Sequence, residues 1–263
     1  MVAALLAGFT ACSNDDNNDD GNGNDGGGKG DASMVTPSNV FTGLKPTQSA
    51  DILSITYDSK GRVTHMVTAD GEGFTLTYAQ TRDIENQGDV QMVGHNSTFY
   101  FQIGSNGFAK NCVQYDAEED ETIYWTFGYT EDGHLNYVEN KGEDIFKLTY
   151  ENGDVAKVEH EDPSEPEFNG NWTVAYSSSS VPAPIDNKGC LMLFDTTLGI
   201  DLDELGYAYY AGLLGKATGH LPLSFDGSQS SESEFQWMLD SNGYPTELKY
   251  KEGSWDSYKF AWK

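Results

Sequence analysis

The chain has 263 residues and carries 42 acidic against 15 basic side chains, a formal net charge of −27 at pH 7. This excess of carboxylates excludes a nucleic-acid-binding protein, whose affinity rests on Lys and Arg beside phosphates. It also argues against adhesion of the folded part to anionic lipid head groups, and the length suits one large β domain or two small ones.

The N-terminal residues MVAALLAGFTA form an apolar run that is too short to span a bilayer as a helix. Ala11 supplies the small residue of a signal-peptide cleavage site, and Cys12 follows it directly. This arrangement resembles the lipobox of bacterial lipoproteins, in which the cysteine thiol is acylated and becomes the first mature residue. We therefore interpret residues 1–11 as a signal peptide and Cys12 as the lipid attachment site. The alternative is an apolar terminus with an ordinary cysteine.

The segment after Cys12 has the composition of a tether. Residues 13–31 are only Ser, Asn, Asp, Lys and Gly, which have nothing apolar to bury and cannot repay the entropy of ordering. A Gly-rich chain of this length has a root-mean-square span of roughly 25 to 30 Å. Aspartates soon after a lipidated cysteine resemble the export signal of Bacteroidetes surface lipoproteins. We expect residues 12–35 to tether a single β domain, residues 36–263, to the outer membrane or cell surface through the lipid anchor only.

One sequence pattern recurs in the β domain. A run of alternating polarity is followed by a polar segment of three or four residues that ends in Gly, and an apolar residue stands two positions later. The copies are ITYDSKGRVTHM (55–66), FGYTEDGHLNYV (127–138), LTYENGDVAKV (148–158) and WMLDSNGYPTEL (237–248). Period-2 alternation around a polar turn closed by Gly predicts β-hairpins, with positive φ at Gly61, Gly133 and Gly243. YDSKGRV also resembles the sugar-binding YD repeats of long bacterial toxin shells, but only this copy matches, so we favour the hairpin.

Further alternating runs extend the same sheet to about twelve to fourteen strands. They are FTLTYA (74–79), STFYFQI (97–103), TIYWTFGYT (122–130), NWTVAY (171–176), LPLSF (221–225) and YKFAW (258–262). The fold class that follows is mainly β, an antiparallel meander that is strongly curved or barrel-like. Residues 201–215 break the period and predict one helix, with Asp201 and Glu204 at capping-box spacing and Gly215 at its end.

These features together resemble a known family. The acidic tether after a lipobox, the Tyr-x-x-x-Gly hairpins and a late helix followed by GHLPL (219–223) are similar to a Bacteroidetes lipoprotein family of unknown function with a porin-like fold. The resemblance covers residues from about 50 to 263. It implies an antiparallel sheet that is curved or closed, and it carries over no catalytic residue.

A membrane-spanning barrel is a rival interpretation. Tyr258, Phe260 and Trp262 alternate as the last strand of an outer-membrane protein does, and alternation alone cannot separate a lipid-facing row from a core-facing one. Most strands, however, are shorter than the ~9 to 11 residues that span a bilayer. Lysines such as Lys147 also fall within strands, so we favour a barrel or sandwich that is a monomer in water.

Candidate chemistry is sparse. Cys112 and Cys190 could form one disulfide or could both be buried thiols. The five histidines lack the spacing of a zinc site, and no nucleophile elbow, P-loop or dinucleotide fingerprint occurs. We therefore predict no catalytic residue, no metal and no cofactor.

Aromatic side chains are the remaining candidates for a binding site. Tyr124 lies opposite the row that contains Trp125 and Phe127 in its strand register, and Tyr210 lies on the predicted helix. Tyrosine rings serve as flat platforms for glycans and lipids, although cross-strand packing explains many of them. We expect a noncatalytic binding module for a small apolar ligand or a glycan, with Tyr124 and Tyr210 as the candidate ligand platform. The alternatives are a carbohydrate-active or other hydrolase, a structural envelope component and an outer-membrane barrel.

The lipobox hypothesis predicts acylation at Cys12. When the chain is expressed in a bacterial host behind a basic signal n-region, with labelled palmitate in the medium, label should enter the wild type. It should be absent from Cys12→Ala, because the thiol is the only acyl acceptor that a lipobox uses. Label that persists in Cys12→Ala would exclude this residue as the attachment site.

Overall fold

The computed structural model describes residues 37–79, 88–227, 233–252 and 254–263. The predicted signal peptide, Cys12 and the tether lie outside these ranges. Within the described ranges, no helix is long and apolar enough to cross a membrane.

Sixteen antiparallel strands form one closed barrel. The strands are β1 Pro46–Ala50, β2 Ile52–Tyr57, β3 Val63–Thr68, β4 Gly73–Tyr78, β5 Val90–Val93, β6 Ser97–Ile103, β7 Ala109–Asp116, β8 Glu121–Tyr129, β9 Leu135–Asn140, β10 Ile145–Glu151, β11 Asp154–Glu161, β12 Gly170–Ala175, β13 Ser224–Gly227, β14 Ser233–Leu239, β15 Pro245–Glu252 and β16 Ser254–Trp262. An α-helix, α1, spans Phe194–Leu198, and 3₁₀-helices span Pro166–Phe168 and Asp203–Ala211.

The first and last strands close the barrel. β1 pairs with β16, with Ser49 opposite Phe260, and every other strand pairs with its neighbours in the chain. Next to this seam, the Lys45 N–H donates to the Lys263 carbonyl at 2.9 Å, and the Lys263 N–H donates back at 3.0 Å. The predicted mainly β meander is therefore confirmed, and its sheet is closed.

Two strands were missing from the sequence-based prediction of twelve to fourteen. β1, PTQSA, and β5, VQMV, are only five and four residues long. Such segments are too short to display an alternation that stands out from a loop. Their strand conformation depends on the hydrogen bonds that their neighbours in the barrel supply.

The wall is apolar on its inner face and mainly polar on its outer face, where the exposed Leu53, Tyr124 and Trp255 are exceptions. On β4, Phe74, Leu76 and Tyr78 are buried, whereas Thr75 and Thr77 are exposed. Threonine and other polar residues recur on the outer face. Exposed outer positions include Thr122, Thr126, Thr149, Asn171, Thr173, Glu234 and Gln236. Along the described wall, the apolar rows thus form a core, and the polar rows face outward.

A long connection between β12 and β13 fills the inside of the barrel. We call residues 187–215 the interior segment. It carries α1 and the longer 3₁₀-helix, and its Leu205, Tyr209 and Leu213 have no exposed surface. Wall side chains hold its backbone: Trp172 Nε1 donates to the Leu198 carbonyl at 2.5 Å, and the Tyr129 hydroxyl donates to the Leu213 carbonyl at 3.0 Å.

The predicted helix at 201–215 is present but differs in type and length. It is a 3₁₀-helix over Asp203–Ala211, and the Asp201–Glu204 capping box is replaced by a single bond from the Asp203 N–H to the Asp201 carboxylate at 3.0 Å. Gly212, at φ +76°, ends it in place of Gly215. The helix lies inside the barrel, so packing against surrounding wall residues, and not one amphipathic stripe, decides its shape.

The predicted hairpin turns are confirmed. Gly61, Gly133 and Gly243 have φ values of +78°, +95° and +84°. In the first turn, the Asp58 carboxylate accepts the Lys60 and Arg62 N–H groups at 2.8 and 2.9 Å. Asp240 plays the same role in the Gly243 turn, and in the Gly133 turn the Thr130 hydroxyl accepts the His134 N–H at 3.0 Å. The turns therefore form by the expected mechanism, a polar side chain that bonds the turn backbone and a Gly with positive φ.

The C-terminal aromatic alternation faces inward. Phe260 is buried, and the Trp262 Nε1 donates to the Pro245 carbonyl at 2.6 Å, with its ring 5.4 Å from that of Tyr244. Tyr258 lines a cavity inside the wall. This row belongs to the core of the barrel.

The fold predicts that Gly212 is less replaceable than other turn glycines. A Cβ on Gly212 would lie 2.0 Å from the Ser38 carbonyl oxygen, whereas a Cβ on Gly71, at φ +89°, would meet nothing within 4 Å. We expect Gly71→Ala to lower the free energy of unfolding by about 1 kcal/mol through backbone strain alone. Gly212→Ala should cost at least about 3 kcal/mol, because it adds a steric overlap to the strain. Urea unfolding followed by tryptophan fluorescence measures both, and equal midpoints for the two variants would contradict this placement of Gly212.

Candidate functional site

The two ends of the barrel differ in charge. We call the end where residues 37–41 join the barrel the proximal end, since the Ser38 N–H donates to the Gly107 carbonyl in the β6–β7 turn there. The opposite, distal end carries the connections that follow the odd-numbered strands. Its described connections are strongly acidic. Acidic residues in or beside them are Asp51, Asp70, Glu72, Asp116, Glu118, Glu119, Asp120, Glu121, Glu143, Asp144, Glu161, Asp162, Glu165 and Glu167.

The interior segment reaches this acidic end and forms a cavity against the wall. The cavity has a volume of about 380 Å³ and lies between α1 and the 3₁₀-helix on one side and the β16–β1–β2 wall on the other. Its polar lining includes Asp51, Asp195, Asp201 and Asp203, and its aromatic lining consists of Tyr207, Tyr210 and Tyr258, with Phe194. We call it the distal cavity.

Hydrogen bonds to the wall fix two of the tyrosines. The Tyr207 hydroxyl donates to the Asp51 carboxylate in the β1–β2 connection, and the Tyr207 ring lies 4.9 Å from that of Phe74. The hydroxyls of Tyr210 and Ser49 share a buried hydrogen bond of 2.7 Å. Burial and the bond to Asp51 raise the pKa of Tyr207, so its hydroxyl stays protonated. The cavity therefore presents fixed aromatic rings beside carboxylate acceptors.

Two carboxyls of the interior segment have raised pKa values. Desolvation and the negative charges of Asp201 and Asp144 raise the pKa of Asp203, an exposed residue that also has a positive φ of +46°. Partial burial, opposed by a hydrogen bond from Ser97, raises the pKa of Glu204. The Glu204 Oε2 is buried and has no hydrogen-bond partner among the described residues. Perturbed carboxyls beside a cavity are typical of functional sites, although crowding of acidic residues produces the same shift.

The two residues of the predicted ligand platform do not share a surface. Tyr210 is buried inside the barrel and lines the distal cavity. Tyr124 is 52% exposed on the outer face of β8, with the Lys141 ammonium 5.8 Å from its ring centre. Tyr207, Tyr258 and Asp51 were not predicted to belong to the ligand platform, because nothing in the chain marks which tyrosines the interior segment brings against the β1–β2 connection.

Cys112 and Cys190 are both free thiols. Cys112 is buried on β7 opposite Phe101 and Trp125, and burial raises the pKa of its thiol. Cys190 is half-buried in the interior segment, and its carbonyl accepts the Tyr209 hydroxyl at 2.6 Å.

Three histidines connect loops to the barrel wall through polar contacts of their ring nitrogens. His134 Nδ1 lies 3.2 Å from the Lys216 carbonyl, and His160 Nε2 lies 2.6 Å from the Asp144 carboxylate. His220 Nδ1 lies 2.7 Å from Asp154, and its other ring nitrogen faces the Asp186 carboxylate at 3.8 Å. A catalytic dyad would present that nitrogen to a nucleophile. In the described part of the chain, no group of three or more His, Cys, Asp or Glu side chains is placed to hold a metal ion.

Comparison with known proteins assigns the family. The model of a family described as a domain of unknown function (DUF4595) with porin-like fold matches residues 55–247. The chain belongs to this family. The resemblance inferred from the hairpins and the late helix is thereby confirmed for the family and its fold. A comparison with curated proteins found no match.

Two solved structures share the fold of this family member. A porin-like protein from Bacteroides uniformis is 17% identical, with a TM-score of 0.63 over 87% of this chain and 100% of that chain. A porin-like protein from Bacteroides vulgatus is 16% identical, with a TM-score of 0.54 over 84% of this chain and 99% of that chain. At these identities, the likeness supports the fold and transfers no activity.

The raised pKa of Asp203 predicts a pH-dependent effect on stability. A carboxyl whose pKa is raised by folding contributes stability below the unfolded pKa, near pH 4, and loses it as the pH rises through the folded pKa. Asp203→Asn should therefore raise the urea midpoint at pH 7 relative to the wild type, and the gain should shrink as the pH approaches about 4.

Asp240 provides a control of opposite sign. Its pKa is lowered chiefly by the N–H of Tyr244, so its contribution is present above the unfolded pKa and lost as the pH falls. Asp240→Asn should lower the midpoint at pH 7. If both variants shift the midpoint in the same direction at pH 7, the assigned environment of Asp203 is wrong.

Proposed function

We propose that this protein is a noncatalytic binding module, anchored to the cell envelope through Cys12, that receives a glycan in the distal cavity. The observation that carries the proposal is the combination in one cavity of three tyrosine rings with four aspartates. Rings stack on the apolar faces of sugars, and carboxylates accept hydrogen bonds from sugar hydroxyls. Of the two ligand classes expected from the sequence, the four carboxylates favour a glycan over a small apolar molecule.

The polarity of the wall supports a module that faces water. A spanning barrel exposes an apolar band to lipid and keeps a polar lumen. Here, the described outer rows are rich in Thr, as at Thr75 and Thr77, and the inner rows are apolar. This pattern favours anchorage by lipid over insertion of the strands, and it supports the expectation of a monomer at the outer membrane or cell surface.

A hydrolase is the second candidate, and Asp203 is the observation that favours it. Desolvation and the neighbouring negative charge of Asp201 raise the pKa of Asp203, so this carboxyl retains its proton to a higher pH than an isolated aspartate does. Glycosidases use a carboxyl of raised pKa as general acid beside a second carboxyl. Release of nitrophenol from aryl glycosides by the wild type, but not by Asp203→Asn, would favour the enzyme over the binding module.

A cavity-filling variant tests glycan binding. Gly206 lines the distal cavity, and a Cβ at this position would have only Leu202 Cβ, at 4.0 Å, within contact distance. Gly206→Phe should therefore fold while its ring occupies the cavity. Soluble bacterial and host oligosaccharides, screened on an array and measured by calorimetry, should bind the wild type, and Gly206→Phe should weaken the best of them at least about tenfold.

Tyr124→Ala is the matched control, because Tyr124 is an exposed tyrosine on the outer face of the wall. It should leave the affinity unchanged. Weakened binding in Tyr124→Ala with full binding in Gly206→Phe would move the site to the outer face. Failure of every oligosaccharide to bind would contradict the glycan proposal.

A further inference from the structure

The proximal end carries a cluster of basic side chains in an otherwise acidic protein. Lys45 and Lys263 place their ammonium groups 5.1 and 4.5 Å from the centre of the Tyr57 ring. Lys60 and Arg62 lie in the adjoining β2–β3 turn, and Arg62 stacks on the Tyr78 ring at 4.3 Å.

A fifth cation extends this cluster along the seam. The Lys188 ammonium lies 5.1 Å from the Tyr244 ring centre, and that ring contacts Trp262, the neighbour of Lys263. We call Lys45, Lys60, Arg62, Lys188 and Lys263 the basic rim.

Most of these cations have no carboxylate partner. Three lysines on the outer wall, Lys147, Lys157 and Lys259, each lie 2.7 to 2.9 Å from a glutamate, whereas Lys249 and Lys251 have no such partner in the described chain. In the rim, Arg62 is paired with Asp58 at 2.7 Å. For the four lysines of the rim, no carboxylate oxygen of the described chain lies within 4 Å. Lys45 and Lys188 bond backbone carbonyls instead, at 2.5 and 2.6 Å.

Three residues of the rim line a cavity that an anionic head group can enter. This proximal cavity has a volume of about 270 Å³ and is lined by Lys45, Lys60 and Arg62, together with the apolar side chains of Val40 and Phe41. Cationic groups beside apolar surface match a lipid phosphate and the first carbons attached to it.

The N-terminal chain joins the barrel at this same rim. Residues 37–41 line the proximal cavity, so the 36 residues that precede them, including Cys12, are connected to the barrel here. An acyl chain on Cys12 would thus be attached to the barrel through the proximal end.

We propose that the basic rim binds the phosphate groups of anionic lipids in the anchoring membrane, so that the acidic distal end faces away from it. The proposal rests on the proposed function, because the anchor supplies the membrane. The net charge of −27 opposes adhesion of the folded part as a whole, but the rim gathers cations at one end. The longest strands, with nine residues each, separate the two ends by roughly 20 Å when tilted as in barrels, whereas charges at physiological salt are screened over ~8 Å. The lipid phosphates thus interact with the rim and are screened from the distal carboxylates.

Vesicle sedimentation tests the rim without acylation. The full chain with Cys12→Ala is mixed with vesicles of phosphatidylcholine alone or with added phosphatidylglycerol. Binding to the anionic vesicles should exceed binding to the neutral ones about tenfold, and it should fall as salt rises from about 0.05 to about 0.5 M.

Two triple variants with the same net charge separate a local rim from total charge. Lys60→Glu, Lys188→Glu and Lys263→Glu together should abolish the preference for anionic vesicles. Lys141→Glu, Lys249→Glu and Lys251→Glu together change exposed lysines outside the rim and should retain it. An equal loss in both, or a rim variant that still prefers anionic vesicles, would overturn the proposal.

If inorganic phosphate at millimolar concentration releases the wild type completely, the rim is a free-anion site and the membrane assignment is wrong. Because no step needs acylation, failure of Cys12 to take up lipid would refute the anchor and leave this result standing.

Discussion

The structure depends on the filling of a closed barrel. A barrel of sixteen strands is wider than its own inward side chains can fill, so an empty interior would forfeit both burial and dispersion contacts. The interior segment supplies the missing atoms, with the fully buried Tyr209 among them. Because it is held by wall donors such as Trp172 and Tyr129, it is part of the core, and the distal and proximal cavities lie where it meets the β1 seam. Both candidate binding sites are therefore consequences of how this segment packs.

The up-and-down topology explains how one acidic chain acquires two unlike ends. Each strand reverses direction, so connections after odd-numbered strands gather at one end and those after even-numbered strands at the other. The run DAEEDE (116–121) thus shares the distal end with Asp144, although β8 and β9 separate them in the chain. The cations of the basic rim are drawn together in the same way, from residue 45 to residue 263. The net charge of the whole chain therefore does not give the charge of either end of the barrel.

The closed shape of the barrel and the polarity of its two faces are separate properties. The family description refers to a porin-like fold, and closure of the meander agrees with it. The inner row of β4 nevertheless consists of Phe74, Leu76 and Tyr78, and the outer row is threonine. An apolar interior that is packed by a protein segment has the energetics of a globular core, in which burial of apolar area stabilises the fold. The same closed geometry can therefore carry either arrangement of polarity.

The sequence by itself determined the β class, the hairpin turns, the family and the candidate lipid attachment at Cys12, because alternation, turn chemistry and tether composition are local properties. It did not determine β1 and β5, whose short segments become strands only beside their partners. Nor did it determine the 3₁₀ form of Asp203–Ala211, which is set by the surrounding wall. The meeting of Tyr207 with Asp51 was decided by the tertiary structure alone, because residues far apart in the chain become neighbours only when the interior segment enters the barrel.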